Sequence, residues 1–270
     1  MTGFAVGALW RPRCVRALID AASSAFGPFP TPVHRDLGGA HALAVDAPVE
    51  VERGQMWLVG EARLDGVPAA QRSGTPALER LAAGCLRDSA GAPRGVEGDY
   101  AAVVWDRRRR RLTGLRDYFG VRPLYFYRGP DMAWVSNLPA VLLAIIEADL
   151  GTAPPLLPEG VFDRLLFGRP LDAEATVWRD LGRVPPGSRL FFEAGRRGGR
   201  VREPLEVQPA ADLDEGAVVE RFLAALDDAV RDRLDGDRAC LWMSGGLDST
   251  SVAASARAVG ARVTVWAVTR

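Results

Sequence analysis

The sequence predicts an α+β layered domain followed by the opening strand, helix and strand of a parallel α/β sheet. Three observations carry this reading. Short apolar and alternating runs dominate up to Ser136, with few helical periods between them. Proline and glycine then cluster at Gly151 to Pro158 and again at Pro185-Pro186-Gly187, where the chain changes character. Beyond that, Leu241-Trp242-Met243-Ser244-Gly245-Gly246-Leu247-Asp248-Ser249-Thr250 reads as the end of a buried strand, a glycine turn and the start of a helix.

The elements follow in order. Gly3 to Leu9 is a small and apolar run, a buried strand. Ala17 to Ala25 is a short helix, stopped by Gly27, Pro28, Pro30 and Pro32. His41 to Val51 alternates loosely as strand, and Gln55 to Val59 is a strand ending at Gly60-Glu61. Thr75 to Arg87 carries Leu78, Leu81, Ala82 and Leu86 at helical spacing, with Thr75 as cap and Pro76 just inside. After a turn at Val96 to Asp99, Tyr100 to Trp105 and Leu112 to Arg116 form a hairpin with arginines at its tip. Leu124 to Tyr127 and Met132 to Ser136 are two more strands, and Leu138 to Glu147 is a helix. Pro158 to Phe167 is helical, and Val184 to Ser188 turns into the strand Arg189 to Glu193. Ala194 to Asp214 is soft sequence. Asp212 or Asp214 then caps a helix with Val219, Phe222, Leu223, Leu226 and Val230 on one face. Strand Ala239 to Met243, helix Ser249 to Val259 closed by Gly260, and strand Arg262 to Val268 complete the pattern.

Composition narrows the function classes. Formal charge balances to zero and lysine is absent, so no basic field favours nucleic acid or an anionic membrane surface. No apolar run approaches the roughly 20 residues that span a bilayer, and Met1 to Ala5 lacks the basic region of a signal peptide. Cys14, Cys85 and Cys240 are odd in number and lack metal-ligand spacing, so they read as buried thiols of a cytoplasmic protein. His34 and His41 are the two histidines, and no metal cluster is read around them. Arg107 to Arg111 reads as a solvated hairpin tip rather than a nucleic-acid patch.

The glycine turn carries the chemistry. Gly245 and Gly246 let backbone approach a ligand without a Cβ in the way. The helix behind them aims unsatisfied N–H groups and the positive end of its dipole at the same spot. That is an anion site, most often for phosphate. It is not a Walker loop, because no Gly-Lys-Ser/Thr follows the glycines.

Four motifs in order resemble the asparagine synthetase family. Glu97-Gly98-Asp99-Tyr100 through Asp106 looks like its glycine turn and strand. Arg116-Asp117-Tyr118-Phe119-Gly120-Val121-Arg122-Pro123-Leu124-Tyr125 is similar to its R-D-x-x-G-x-R-P-L-Y segment. Thr176 to Gly187 resembles its inter-domain segment, and Ser244 to Ser249 its pyrophosphate loop. The resemblance implies a class II glutamine amidotransferase-like, Ntn-type sandwich over 1–150 and an inter-domain segment over 151–213. It implies the start of an ATP-pyrophosphatase domain over 214–270. It implies an ATP- and Mg2+-dependent, AMP-forming amide ligase that adenylates a carboxylate and passes it to an amine. On this pattern Ser244, Gly245, Gly246, Asp248 and Ser249 bind ATP's pyrophosphate, Asp248 contacts Mg2+, and Trp242 and Val268 touch the adenosine. Arg116, Asp117 and Arg122 are read as a structural ion-pair network.

The sequence departs from the family in two ways. The glutaminase nucleophile is an N-terminal cysteine exposed by removal of Met1, and here that position is Thr2. The glutamine pocket is degenerate as well. Asn-Gly-Glu becomes Val59-Gly60-Glu61, losing an oxyanion-holding amide, and an expected acidic residue becomes Gly74. The carboxylate-binding arginine has no counterpart between Arg35 and Arg53. No glutamine hydrolysis is expected. Second, the chain stops just after its second parallel strand, so either it is a fragment or a second polypeptide completes the fold. Leu165-Leu166-Phe167-Gly168-Arg169 also looks like lasso-peptide cyclases of the family. Lasso-peptide or β-lactam type ring closure is therefore the neighbouring alternative, and a non-catalytic remnant or partner subunit the alternative from another class.

Overall fold

The computed structural model describes residues 3–10, 15–27, 32–45, 49–87, 96–193, 196–202, 214–234 and 236–267. The chain divides into two compact units, Met1–Pro204 and Leu205–Arg270.

The first unit opens with β1 (Gly3–Leu9), α1 (Val15–Ala25), β2 (Val33–Asp36), β3 (Ala40–Val45), β4 (Val49–Arg53) and β5 (Met56–Leu64). It continues with α2 (Gly74–Arg87), β6 (Gly98–Asp106), β7 (Arg111–Arg116), β8 (Tyr125–Arg128), β9 (Met132–Ser136), α3 (Pro139–Leu150) and α4 (Pro158–Phe167). It closes with β10 (Leu181–Arg183), β11 (Ser188–Glu193) and β12 (Arg196–Arg202). Two six-stranded antiparallel sheets result, ordered β10-β8-β9-β1-β3-β2 and β12-β11-β7-β6-β5-β4.

Side-chain alternation sorts these strands into layers. Phe4 and Val6 of β1 meet Trp57 and Val59 of β5, Val103 and Trp105 of β6, and Val135 of β9 in a core between the sheets. Ala5, Leu9 and Trp134 face the other way, onto Leu18 and Ala22 of α1 and Val141 and Ile145 of α3. Leu58, Ala62 and Val104 pack against Leu78 and Leu81 of α2. The stack is helices, sheet, sheet, helix, the sandwich of a class II glutamine amidotransferase type.

Several boundaries differ from the sequence reading. The strand expected to end at Gly60-Glu61 runs on to Leu64. Gly60 does not break it: a Cβ there would stand 2.4 Å from the Ala101 carbonyl oxygen, so close pairing with β6 requires glycine. β2 and β12 were not read as strands. Both lie at sheet edges, and all four residues of β2 are exposed, so its charged sequence stays in water. Gly199 of β12 makes room for the Phe191 ring, which a Cβ would meet at 2.2 Å. The segment 151–213 supplies β10 to the first sheet and β11 and β12 to the second. Gly151 to Pro158, read as a linker, is tied down. Leu157 N–H donates to Val177 O at 2.9 Å, and Arg179 N–H donates to Pro155 O at 2.9 Å.

The arginine tip between β6 and β7 is anchored rather than only solvated. Arg107 Nε donates to Leu37 O at 3.3 Å and its guanidinium pairs with Glu52. Trp10 Nε1 donates to Arg110 O at 3.2 Å. The tip thereby clasps one sheet to the other.

The second unit holds α5 (Glu215–Arg233), β13 (Arg238–Met243), α6 (Leu247–Ala258) and β14 (Arg262–Ala267). Asp214 caps α5, accepting the Ala217 N–H at 2.8 Å. β13 and β14 pair in parallel, Arg238 opposite Arg262 through Met243 opposite Ala267. Cys85 is buried as expected, but Cys240 is exposed. Cys14 lies outside the described residues. No helix among the described residues is long and apolar enough to cross a membrane.

Candidate functional site

The candidate site is the turn between β13 and α6. Gly245 has φ +78°, a left-handed conformation that glycine adopts without strain. Gly246, at φ −81° and ψ 166°, caps α6 without a side-chain bond. The first helical hydrogen bond runs from Thr250 N–H to Gly246 O at 3.2 Å. The N–H groups of Leu247, Asp248 and Ser249 therefore have no partner within the helix and point out of its N-terminus.

The hydroxyls organise the rim. Ser244 Oγ and Ser249 Oγ stand 3.3 Å apart across the turn, and Gly246 N–H donates to Ser244 Oγ at 3.4 Å. Ser249 Oγ and Thr250 Oγ1 both donate to Gly246 O, at 3.1 and 2.9 Å. Ser244, Gly245, Gly246 and Asp248 are exposed and Ser249 is half-buried. The structure brings these five sequence-predicted residues into one turn. A Cβ at Gly245 would meet nothing within 4 Å, and one at Gly246 would meet only Ser244 Oγ, at 3.4 Å. The space the glycines leave is open to a ligand.

Trp242 is 74% exposed, one residue before Met243 at the strand end. Its register partner is Trp266, so both indoles lie on one face of the parallel pair, with ring centroids 6.5 Å apart. Trp266 was not singled out in the sequence. The matching signal was the second aromatic in Val-Thr-Val-Trp-Ala, at the equivalent strand position. Val268 lies outside the described residues.

The residues read as a degenerate glutamine pocket lie on β5 and at the start of α2. Val59 is fully buried in the core between the sheets. Glu61 is half-buried and faces Arg122 Nη1 at 3.3 Å. Gly74 has φ +66° and opens α2 in an exposed position, so its glycine serves the backbone turn. Arg35 pairs with Glu50 at 3.0 Å. Thr2 lies outside the described residues. Nearby, burial pushes the Asp99 carboxyl above its usual range, opposed by Arg63, whose Nε lies 3.6 Å from it.

Arg116, Asp117 and Arg122 form a network, but Arg116 spends its guanidinium on carbonyls. It donates to Arg122 O and Val184 O at 2.7 Å and to Gly120 O at 2.8 Å. Asp117, fully buried, accepts Val121 N–H and Arg122 N–H at 2.9 Å each. Arg122 is in turn the partner of Glu61.

The histidines, between which no cluster was read, come together. His34 Nε2 and His41 Nδ1 are 3.3 Å apart. Their signal was a hairpin, His-Arg-Asp-Leu-Gly-Gly-Ala-His, in which both fall on one face. Burial, and to a lesser degree His34, lower the His41 pKa below its ordinary 6.5, against the pull of Asp36. The unfolded ring therefore takes up its proton first as pH falls. The stability that neutral His41 contributes is present above 6.5 and is lost as pH falls below it, until the folded ring also titrates. Wild type is expected to lose more urea resistance between about pH 7.5 and about pH 5 than His41→Gln does. Equal losses in the two chains would contradict this.

Residues 88–201 match the glutamine amidotransferase domain family and residues 221–269 match the asparagine synthase family. The chain is similar to Amidase chyE of Penicillium rubens, 28% identical over 170 residues, which is 58% of this chain and 23% of that protein. It is similar to Amidase chry2 of Gibberella zeae, 26% identical over 256 residues, which is 88% of this chain and 33% of that one. The chain thus spans about a quarter to a third of the length of these curated relatives. Among solved structures, it is similar to an allosteric regulatory enzyme of purine biosynthesis at a TM-score of 0.44 and 12% identity. That match covers 98% of this chain and 65% of the other, and the likeness is too distant to bear on the site.

Proposed function

We propose that this chain, a member of the asparagine synthetase family by its glutamine amidotransferase domain and asparagine synthase sequence, belongs to an ATP-dependent amide ligase. The observation that carries the reading is the turn at 244–249. Two glycines, two facing hydroxyls and the open N-terminus of a 12-residue helix converge on one exposed spot.

In this reading a substrate carboxylate attacks the α-phosphorus of ATP and pyrophosphate leaves. An amine then attacks the acyl carbon, and AMP and a proton leave. The N–H groups of Leu247, Asp248 and Ser249 take up the charge that develops on the departing pyrophosphate. Ser244 and Ser249 add hydroxyl donors. Asp248 in the first turn supplies one carboxylate for Mg2+, an ion commonly held by one or two carboxylates together with phosphate oxygens. Trp242 offers an exposed aromatic face for adenine. Ring closure within one substrate, as in lasso-peptide or β-lactam formation, uses the same first step and stays inside this proposal.

Adenylation moves a carboxylate oxygen onto AMP. The protein that carries this chain, given ATP and an 18O-labelled carboxylate substrate, should therefore return 18O in AMP. Formation of ADP, or AMP without label, would overturn the reading.

The two fungal relatives are named amidases, which favours amide cleavage as a second reading. The first unit is where a class II domain would cleave glutamine, and the burial of Val59 and the Glu61–Arg122 pair weigh against it. Incubation with glutamine is expected to release no ammonia above the uncatalysed rate. Release that disappears in Thr2→Ala would overturn that expectation.

A further inference from the structure

We propose that His34 and His41 form a two-imidazole binding site for a divalent transition-metal ion of the zinc or copper kind, at the outer edge of the first sheet. β2 is the last strand of that sheet, and its register with β3 sets His34 opposite Leu43 and Asp36 opposite His41. His34 and His41 are thus diagonal neighbours on one face, within reach of each other's rings. On the far side of β3, His41 is opposite Gly7 of β1, over which the Trp134 indole of β9 lies.

The frame that holds the pair is short and fixed. Leu37 N–H donates to Ala40 O at 2.8 Å and Gly38 N–H to Asp36 Oδ1 at 2.9 Å. Gly38 and Gly39, at φ +72° and +99°, turn the chain. Arg107 Nε holds Leu37 O from the second sheet.

His34 Nε2 and His41 Nδ1 are 3.3 Å apart, with ring planes inclined by 22°. Two nitrogens bound at about 2.0–2.1 Å to one tetrahedral ion stand about 3.3–3.4 Å apart. In the metal-free pair the two nitrogens share one hydrogen bond. To ligate, the donating ring carries its proton on its other nitrogen, and the exposed His34 ring pivots so that both lone pairs converge. Neutral rings lose no net proton in this change, and each protonated ring releases one. Among the described residues no third His, Cys, Asp or Glu completes a set. Two imidazoles select zinc, nickel and copper over magnesium and calcium, which prefer oxygen.

The test is Zn2+ titration of the full chain by calorimetry at about pH 7.5, with a parallel Cu2+ paramagnetic resonance spectrum. Expected are one ion per chain and about tenfold or greater weakening in both His34→Gln and His41→Gln. Nitrogen coupling from two imidazoles should reduce to one in either variant. The exposed Cys240 remains in every chain, so the difference reports on the histidines. An unchanged isotherm in both variants, or a copper spectrum without imidazole coupling, would overturn the proposal. His34 is exposed on an edge strand, so His34→Gln keeps the fold available for the comparison.

Discussion

Arg116→Met is expected to cost the first unit about 3–5 kcal/mol of unfolding free energy, read from urea denaturation. Arg116 is 9% exposed and its guanidinium donates to three carbonyls, those of Gly120, Arg122 and Val184. Methionine fills the stem but leaves those three oxygens without their donor, that of Val184 in a buried place, and an orphaned buried group costs about 1–3 kcal/mol. It also removes the cation adjacent to the fully buried Asp117. Burial lowers the Arg116 pKa, with Arg183 acting in the same direction. Arg116→Lys is expected to fall between wild type and methionine. A compact ammonium keeps charge and three donors but not the planar fork that spans the carbonyls. A loss below about 1 kcal/mol for Arg116→Met would show that the loop 117–123 and the turn before β11 do not depend on it.

Much of the first unit was legible because its core strands obey simple patterns. Gly3 to Leu9 is buried at every position, which its unbroken small and apolar run predicts. Tyr100 to Trp105 and Met132 to Ser136 are equally explicit. What escaped was decided by neighbours far away in sequence. Gly60 looked like a stop, yet it is the residue that lets β5 lie close to Ala101 and Ala102. Val33 to Asp36 carries no alternation, and its pairing with β3 makes it a strand. The same pairing makes His34 and His41 neighbours, around which the sequence reading placed no cluster. In the second unit, residue order was enough to place Ser244, Gly245, Gly246, Asp248 and Ser249 together, since a strand–turn–helix is local. The aromatic pair Trp242 and Trp266 needed the parallel register to appear.

The second large effect concerns the glycine turn, where the two glycines separate by mechanism. Gly245 sits at φ +78°, so Gly245→Ala strains the backbone by about 1–2 kcal/mol whatever the ligand does. Gly246 sits at φ −81°, which alanine adopts freely, and its added Cβ would meet only Ser244 Oγ at 3.4 Å. Gly246→Ala should therefore leave the fold as it is and place a methyl group where pyrophosphate approaches. Asp248→Ala should weaken pyrophosphate mainly when Mg2+ is present, because it removes a carboxylate offered to the metal and leaves the helix N–H groups in place.

Calorimetric titration of Mg2+-pyrophosphate into the wild-type and Gly246→Ala chains tests the central claim most directly. One pyrophosphate should bind per wild-type chain, and binding should weaken at least about tenfold, roughly 1.4 kcal/mol, in Gly246→Ala at an unchanged melting temperature. Equal affinity in the two chains, or no binding by the wild type, would contradict the account.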